Sequence, residues 1–307
     1  MPYSSPMHAF AVRAALEAGP AIMKVYAASI EVQNKEDGSP ITQADRTAND
    51  IILSHLSGTP YPVITEESRP AGSTERKGWN RVWLVDPLDG TREFIRGNGE
   101  FTVNIALTEM GRPIMGVILA PVSQTLWLGI VGDGVYQMTN TGQWATGNPG
   151  FGEKEFFQYA RRIAPVSPGR MAGQPQSTPS DENRAHNPDR ADTVTIGVSR
   201  SHKEAKTEAL IREISKRYGH VRIHQVGSSL KFCAMAEGKM TIYPRCTPIY
   251  EWDTAAGHAI LKAAGGEVFS LETYQPLEYN KEDLHTPPFI AFSSLAESDR
   301  YFAEFPL

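Results

Sequence analysis

Apolar side chains recur at helical spacing in the first part of the chain. Over residues 7–29 they fall three or four positions apart, which places them on one face of a helix. A second helical pattern begins near Thr42 and runs to Leu56. Thr42 and Asp45 form the T-x-x-D pattern that is typical of a helix start. The pattern therefore predicts two helices before the first strand.

Shorter apolar runs, bounded by turn residues, follow the two helices. Segments 62–65 and 81–85 have the length and composition of strands. From residue 101 to about 138, apolar and polar side chains alternate and glycines punctuate the pattern. Several consecutive strands without intervening helices predict an antiparallel sheet with the two early helices packed on it.

The composition changes sharply at residues 165–192, which hold five prolines, many polar residues and no aromatic residue. Such a segment buries too little apolar surface to offset its ordering entropy, so we expect a flexible insertion. Beyond it, strands at 194–198, 221–226, 240–243, 267–269 and 289–292 alternate with helices at 203–217, 229–237 and 252–264. The chain is therefore predicted to form an N-terminal α+β domain at 1–164 and a C-terminal α/β domain at 193–307.

Charge and composition narrow the functional classes. The 307 residues are 40% hydrophobic and 21% charged, and the formal net charge is −5. A general nucleic-acid partner is disfavoured because such binders need a surplus of Lys and Arg. Charged residues interrupt the N-terminal apolar positions, so no signal peptide or transmembrane segment is predicted. We expect a cytoplasmic protein; peripheral association with the inner membrane and the oligomeric state stay open.

Acidic residues stand where structure alone would not favour them. Asp86 ends an apolar strand and Asp89 follows in a turn, while Glu66 and Glu67 end another strand. Asp253 lies just ahead of an alanine-rich helix. Carboxylate oxygens suit Mg²⁺, and zinc is disfavoured because no Cys or His stands at zinc spacing. Two ions sharing Asp86 could clamp a phosphoryl group between an attacking water and a leaving oxygen.

Each acidic residue also has an ordinary structural interpretation. The D-x-x-D-G pattern at 86–90 is common in turns, Asp253 could be an N-cap, and Asp45 could belong to a capping box. The combination favours a phosphate site instead. Gly90 would let the backbone approach a phosphate, whose oxygens would accept hydrogen bonds from the amides of Gly90 and Thr91.

Four blocks of sequence carry a family resemblance: 82–107 (VWLVDPLDGTREFIRGNGEFTVNIAL), 41–45 (ITQAD), 64–68 (ITEES) and 251–257 (EWDTAAG). Together they resemble the signature of the lithium-sensitive, magnesium-dependent inositol monophosphatase superfamily. The stretches SRSH at 199–202, GSSLKF at 227–232 and YPR at 243–245 are similar to its bacterial 3'(2'),5'-bisphosphate nucleotidase branch, the CysQ-like proteins. The implied fold is a layered α-β-α-β-α sandwich with an antiparallel N-terminal sheet and a mixed C-terminal sheet.

The resemblance also implies roles for single residues. Two magnesium ions would be held, the first by Glu66, Asp86 and the carbonyl of Leu88, and the second by Asp86, Asp89 and Asp253. Thr91 and Asp45 would orient and deprotonate the attacking water, and Glu67 would hold a third, looser ion. The substrate-binding set would comprise Glu66, Leu88, Asp89, Gly90, Thr91, His202, Ser228, Lys231, Arg245 and Asp253.

A second phosphate on the substrate would need a receptor of its own. Ser228 and Lys231 are three residues apart, so at a helix start they share a face and present a hydroxyl and an ammonium together. His202 and Arg245 are candidates for further nucleotide contacts, although single His and Arg residues are often only structural.

Proteins of the nucleotidase branch remove the 3'-phosphate of adenosine 3',5'-bisphosphate (PAP), and some act on its sulfated form, PAPS. The resemblance therefore implies a PAP phosphatase that uses Mg²⁺. Two alternatives stay open: an inositol monophosphatase or sugar-bisphosphatase with the same metal site, and a non-catalytic nucleotide or metal sensor. The chain departs from the superfamily pattern at Thr65, where many members have glycine, and in the length of its insertion.

Overall fold

The structure, a computed structural model, describes residues 7–27, 32–34, 40–143, 153–165, 194–201 and 204–304. The predicted insertion lies outside these residues apart from Pro165, and His202 lies outside them as well. Within them, the helices are α1 Met7–Ala27, α2 Gln43–Leu56, α3 Ser73–Arg76, α4 Thr91–Arg96, α5 Glu153–Tyr159, α6 Ala205–Tyr218, α7 Leu230–Ala236, α8 Glu251–Ala263 and α9 Leu295–Glu304. None of the helices in the described part of the chain combines the length and the apolarity that crossing a membrane requires.

The strands form two large sheets and one short ribbon. The ribbon pairs β1 Val32–Asn34 with β2 Pro40–Thr42. The first large sheet contains β3 Val63–Thr65, β4 Arg81–Asp89, β5 Thr102–Glu109, β6 Arg112–Ala120, β7 Thr125–Ile130, β8 Gly134–Thr139 and β9 Arg161–Ile163, in that spatial order. The second contains β10 Val194–Val198, β11 Val221–Gln225, β12 Ile242–Arg245, β13 Glu267–Ser270 and β14 Phe289–Phe292, in the order β11-β10-β12-β14-β13.

The seven-stranded sheet departs from the prediction at one edge. β4 to β9 pair antiparallel, as expected, but β3 runs parallel to β4. The connection between them, residues 66–80, contains α3 and is long enough to return the chain to the same end of the sheet. The expectation of a wholly antiparallel N-terminal sheet was therefore wrong for β3. The C-terminal sheet is mixed, as predicted.

Alternation along the strands separates two hydrophobic cores. On β4, Trp83 and Val85 face the core formed with α1 and α2, whereas Val82 and Leu84 face the core formed with α7 and α8. This is the two-residue period of a strand buried on both faces.

The five-stranded sheet covers the other side of α7 and α8 and carries a third core on its outer face. On β14, Phe289 and Ala291 point toward α7 and α8, whereas Ile290 and Phe292 pack with Ile214 of α6 and Tyr301 of α9. The layers therefore run helix, sheet, helix, sheet, helix, which confirms the predicted sandwich.

Several boundaries near the acidic residues differ from the sequence prediction. β4 continues through Asp86 to Asp89, with a register shift between the two, and α4 follows at once after Gly90. Asp253 is the third residue of α8 rather than a residue ahead of the helix. The predicted strand at 240–243 lies two residues later, at β12. Short apolar runs carry too little periodicity to fix such boundaries.

Candidate active site

The acidic segment lies where β4 gives way to α4. Asp86 is 1% exposed, and its carboxylate accepts a hydrogen bond from the amide of Leu88 (3.0 Å). Gly90 then turns the chain with a left-handed φ of 91°. A β-carbon there would also lie 3.1 Å from the carbonyl of Glu100, so both conformation and space favour glycine. The turn brings Thr91 back over the strand end, 3.4 Å from the carbonyl of Leu88.

Three carboxylates converge at this point. Glu66, Asp86 and Asp253 each offer an oxygen, and these oxygens lie within 4.8 Å of one another. The first follows β3, the second lies in β4 and the third lies in the first turn of α8. Elements from both halves of the chain therefore meet in one acidic cluster.

The electrostatics of the cluster are unfavourable without a cation. Burial, followed by repulsion from Glu66 and Asp89, raises the pKa of Asp86 well above its ordinary value. Burial and repulsion from Asp89 and Glu66 do the same to the pKa of Asp253. Asp45, buried on α2, adds to the repulsion on Asp86. Like charges collected away from water favour a site that binds a positive ion.

The donors of this cluster fit a hard divalent cation. They are carboxylate oxygens, and hard oxygen donors are those that Mg²⁺ prefers. Asp89 stands half-buried at the end of β4 and its charge acts on both Asp86 and Asp253. Glu67 follows Glu66 and is also half-buried.

Asp89 is held by residues that the sequence analysis did not single out. Its Oδ2 accepts hydrogen bonds from the amide (2.6 Å) and the hydroxyl (2.9 Å) of Ser229. The side-chain amide of Asn104 donates to the same hydroxyl (2.9 Å). Ser229 stands in the GSSLKF stretch that carried the resemblance, but nothing in that stretch showed which serine would meet Asp89.

The first turn of α8 is anchored at its start. The carboxylate of Asp253 accepts a hydrogen bond from the amide of Tyr250 (3.0 Å). Glu251, fully buried, accepts hydrogen bonds from the amides of Asn280 (2.5 Å) and Lys281 (3.2 Å) and pairs with the Lys281 ammonium. The first turn of α8, which carries Asp253, is thereby tied to Asn280 and Lys281.

A second polar network fixes the loop that precedes α7. Glu100 accepts two hydrogen bonds from the guanidinium of Arg200, at 2.6 and 2.7 Å, and one from the amide of Gly227 (2.7 Å). Ser228 follows with a left-handed φ of 46°, which is uncommon for a residue with a side chain. The loop is therefore tied to the segment between α4 and β5.

The predicted Ser228 and Lys231 pair is arranged differently from the expectation. Lys231 is 3% exposed, and its ammonium donates to the main-chain carbonyls of Ser228 (2.6 Å) and Val226 (3.4 Å). It also lies 5.2 Å from the centre of the Tyr243 ring. Lys231 therefore contacts the main-chain carbonyl of Ser228. The two side chains do not share a helix face, because Ser228 lies before the start of α7.

Arg245 lies on β12 beside a cavity of about 390 Å³ between α6 and the five-stranded sheet. Burial opposes its charge, but Tyr243 and the carboxylates of Glu204 and Asp253 outweigh this effect and raise its pKa. The cavity lining includes Ser199, which also stands in a stretch that carried the resemblance. Its size is within the range of small-molecule pockets.

Comparison with known proteins gives consistent results at three levels. The inositol monophosphatase family model matches residues 4–296. The 3'(2'),5'-bisphosphate nucleotidase CysQ of Escherichia coli O157:H7 is 39% identical over 280 residues, which cover 90% of this chain and 95% of the relative. The protein of the same name from Salmonella typhimurium strain LT2 is 38% identical with the same coverage.

Solved structures are similar as well. A crystal structure of CysQ from Bacteroides thetaiotaomicron, a bacterial member of the inositol monophosphatase family, has a TM-score of 0.79 and 39% identity, covering 95% of this chain and 98% of that chain. The extragenic suppressor protein suhB from Bartonella henselae has a TM-score of 0.66, 23% identity and coverage of 96% of each chain, and so shares the fold.

Proposed function

This chain belongs to the inositol monophosphatase family and is a phosphatase, and we propose that it removes the 3'-phosphate of PAP to give AMP and phosphate. This proposal is supported by the relatives at 38–39% identity, which are named as 3'(2'),5'-bisphosphate nucleotidases. We extend the proposal to PAPS, which carries the same 3'-phosphate.

The observation that carries the substrate proposal is the pair of basic residues beside the acidic cluster. The ammonium of Lys231 donates a hydrogen bond to the carbonyl of Ser228, which precedes Ser229, the residue that binds Asp89. The positive charge of Arg245 acts to lower the pKa of Asp253. A monoester bound by metal ions needs neither cation. A substrate with a second phosphate does, because that phosphate lies beyond the metal ions and needs its own charge-assisted hydrogen bonds. The cavity beside Arg245 would hold the nucleoside.

We propose magnesium as the metal, with two ions per site and Glu67 as the ligand of a third. Glu66, Asp86 and the carbonyl of Leu88 would hold one ion, and Asp86, Asp89 and Asp253 the other. When bound, the ions neutralise the phosphate dianion and make a water nucleophilic at neutral pH.

The protein's own groups would orient the reaction. The amides of Gly90 and Thr91 would donate to the phosphate oxygens. The hydroxyl of Thr91 would orient the attacking water, and the carboxylate of Asp45 would accept its proton. The ribose 3'-oxygen would be displaced in line and would take up a proton from solvent to become the 3'-hydroxyl of AMP, and no side chain would form a covalent bond to phosphorus.

Phosphate release from PAP, inositol 1-phosphate and adenosine 3'-monophosphate, measured in Mg²⁺, tests the proposal. We expect a preference for PAP; a preference for inositol phosphate would support the inositol monophosphatase alternative. Absence of release from every ester would support a sensor.

Lys231→Ala tests the receptor within the same assay. It should lower kcat/KM about tenfold or more for PAP and much less for adenosine 3'-monophosphate, which lacks the 5'-phosphate, because one charge-assisted hydrogen bond is lost. Lys216→Ala, at an exposed lysine of α6, is the control for removing a lysine outside the proposed receptor. Equal losses on both substrates would show that Lys231 does not bind the second phosphate.

A further inference from the structure

Ser229 occupies a junction between the elements that carry the metal ligands. Its hydroxyl oxygen lies 2.9 Å from Oδ2 of Asp89, at the end of β4, and 2.9 Å from the carbonyl of Asp253, in α8. Asn104 of β5 donates to the same oxygen. Ser229 is 2% exposed and Asn104 is fully buried, so protein groups rather than water satisfy this hydroxyl.

The hydrogen bonds around Ser229 run in one direction. The hydroxyl of Thr102 donates to the side-chain carbonyl of Asn104 (3.0 Å), which turns the amide nitrogen of Asn104 toward Ser229. The hydroxyl of Ser229 accepts from Asn104 and has one proton of its own to donate. Its one proton can go to Asp89 or to the carbonyl of Asp253, and an ionised carboxylate is the stronger acceptor.

The two oxygens of Asp89 are therefore not equivalent. Oδ2 accepts from the amide and the hydroxyl of Ser229, and the amide of Asn104 lies 3.5 Å away. These donors stabilise the ionised carboxylate and orient it. Oδ1 is then the oxygen left for a cation, and partners that orient a metal ligand commonly tune its affinity.

We propose that Ser229, supported by Asn104, is a positioning residue for the metal centre. It holds Oδ2 of Asp89 within the protein and directs Oδ1 toward the ion that Asp89 and Asp253 share. The inference rests on the proposed metal-dependent function, but it concerns the site's affinity for the ion and is independent of which phosphate ester is hydrolysed.

Titration of the whole protein with Mn²⁺ alone, with free Mn²⁺ counted by electron paramagnetic resonance, tests the inference without turnover. Ser229→Ala keeps the hydrogen bond that the main-chain amide of residue 229 donates to Asp89 and removes the one from the hydroxyl. It should weaken one class of bound Mn²⁺ by about 10- to 100-fold and leave the other class less affected. The Mg²⁺ concentration for half-maximal rate should rise by a similar factor, with little change in KM for the ester at saturating Mg²⁺.

Three further variants separate positioning from packing. Ser298→Ala removes another hydroxyl that is 2% exposed, one that donates to the carbonyl of Leu295 (2.7 Å), and should leave Mn²⁺ binding unchanged. Ser229→Thr restores a hydroxyl and should recover most of the affinity. If a Ser229 variant fails to fold, Asn104→Ala should show the same shift in smaller degree.

Wild-type affinity in Ser229→Ala, whether or not the variant is less stable in chelator, would overturn the inference. A preference for another ester with weakened Mn²⁺ binding in Ser229→Ala would overturn only the substrate proposal. A wild-type protein that binds no Mn²⁺ would overturn the metal centre and this inference together.

Discussion

Single residues of the acidic cluster contribute to function at the expense of stability. The carboxylate of Asp86 is buried among Glu66, Asp89 and Asp253, and its raised pKa reports that the ionised form is disfavoured there. A carboxyl whose pKa is raised on folding destabilises the folded state at pH values above its ordinary pKa. Without a cation, this repulsion opposes folding at neutral pH.

Asp86→Asn should therefore separate stability from activity. We expect the metal-free variant, in chelator, to unfold about 2 °C or more above the wild type, because it loses a buried charge and keeps an oxygen for the Leu88 amide. Its rate of phosphate release should fall by several orders of magnitude, since the proposed ligand of both ions is lost. Calorimetry and a phosphate-release assay give the two values.

The exposed Asp50 of α2 provides the control, because Asp50→Asn should change neither value appreciably. An Asp86→Asn protein that stays active, or that is less stable than the wild type in chelator, would contradict this account of the cluster.

The sequence was informative about residues that act through their own chemistry. The convergence of Glu66, Asp86 and Asp253 was predictable because these hard oxygen donors stand in three of the four blocks that carried the family resemblance. Ser229 was not, because its role depends on contacts with Asp89 and Asn104, which lie 140 and 125 positions away. The setting of Lys231 was also missed, because spacing alone does not show that Ser228 adopts a left-handed φ.

At the scale of elements, the position of α8 depends on two paired glycines. Gly116 of β6 and Gly129 of β7 lie opposite each other in the sheet. A β-carbon on Gly116 would collide with the carbonyl of Ala256, and one on Gly129 would lie 2.5 Å from the Cα of Ile260. The backbone of α8 therefore rests directly on the sheet.

Gly116→Ala should displace α8 and with it Asp253. We expect a loss of about 1–3 kcal/mol in the free energy of unfolding, typical of overpacking, together with weaker Mn²⁺ binding. Denaturant unfolding and the Mn²⁺ titration measure the two effects.

Gly72→Ala is the matched control, because a β-carbon there meets nothing within 4 Å and the φ of −60° suits alanine. Unchanged Mn²⁺ affinity in Gly116→Ala would show that the contact with β6 does not position Asp253.

Long periodic elements were predicted better than short ones. α1 and α2 were expected close to their observed bounds, because their apolar faces repeat over several turns. α4 was not predicted, since its six residues follow a glycine and hold only one fully buried apolar side chain, Phe94. Its existence depends on tertiary contacts that a local pattern does not contain.

At the scale of the whole molecule, the two predicted domains, residues 1–164 and 193–307, share one layer of the structure. α8 belongs to the C-terminal part of the chain, yet it packs on β4 to β7 of the N-terminal sheet. The core around it contains Leu84 from the first sheet and Phe289 from the second. Unfolding of either sheet would therefore expose the apolar residues that the other sheet contributes to this core.

We therefore expect scanning calorimetry to show one cooperative transition for the metal-free protein, with calorimetric and van't Hoff enthalpies in agreement. Added Mg²⁺ should raise the transition temperature without splitting the peak, because its proposed ligands come from both parts of the chain. Two separated transitions would instead support independent domains.

The buried ammonium of Lys231, the proposed receptor of the second phosphate, bears on the entropy of substrate binding. Immobilising a free lysine side chain costs up to about 2 kcal/mol of free energy, because rotamer entropy is lost. Here the carbonyls of Val226 and Ser228 and the ring of Tyr243 restrain the ammonium in the free protein. That entropy is already lost when the protein folds, and two of the three ammonium protons already donate hydrogen bonds to these carbonyls. A second phosphate would meet a preorganised donor, so its contribution to affinity should be retained with little ordering of the protein.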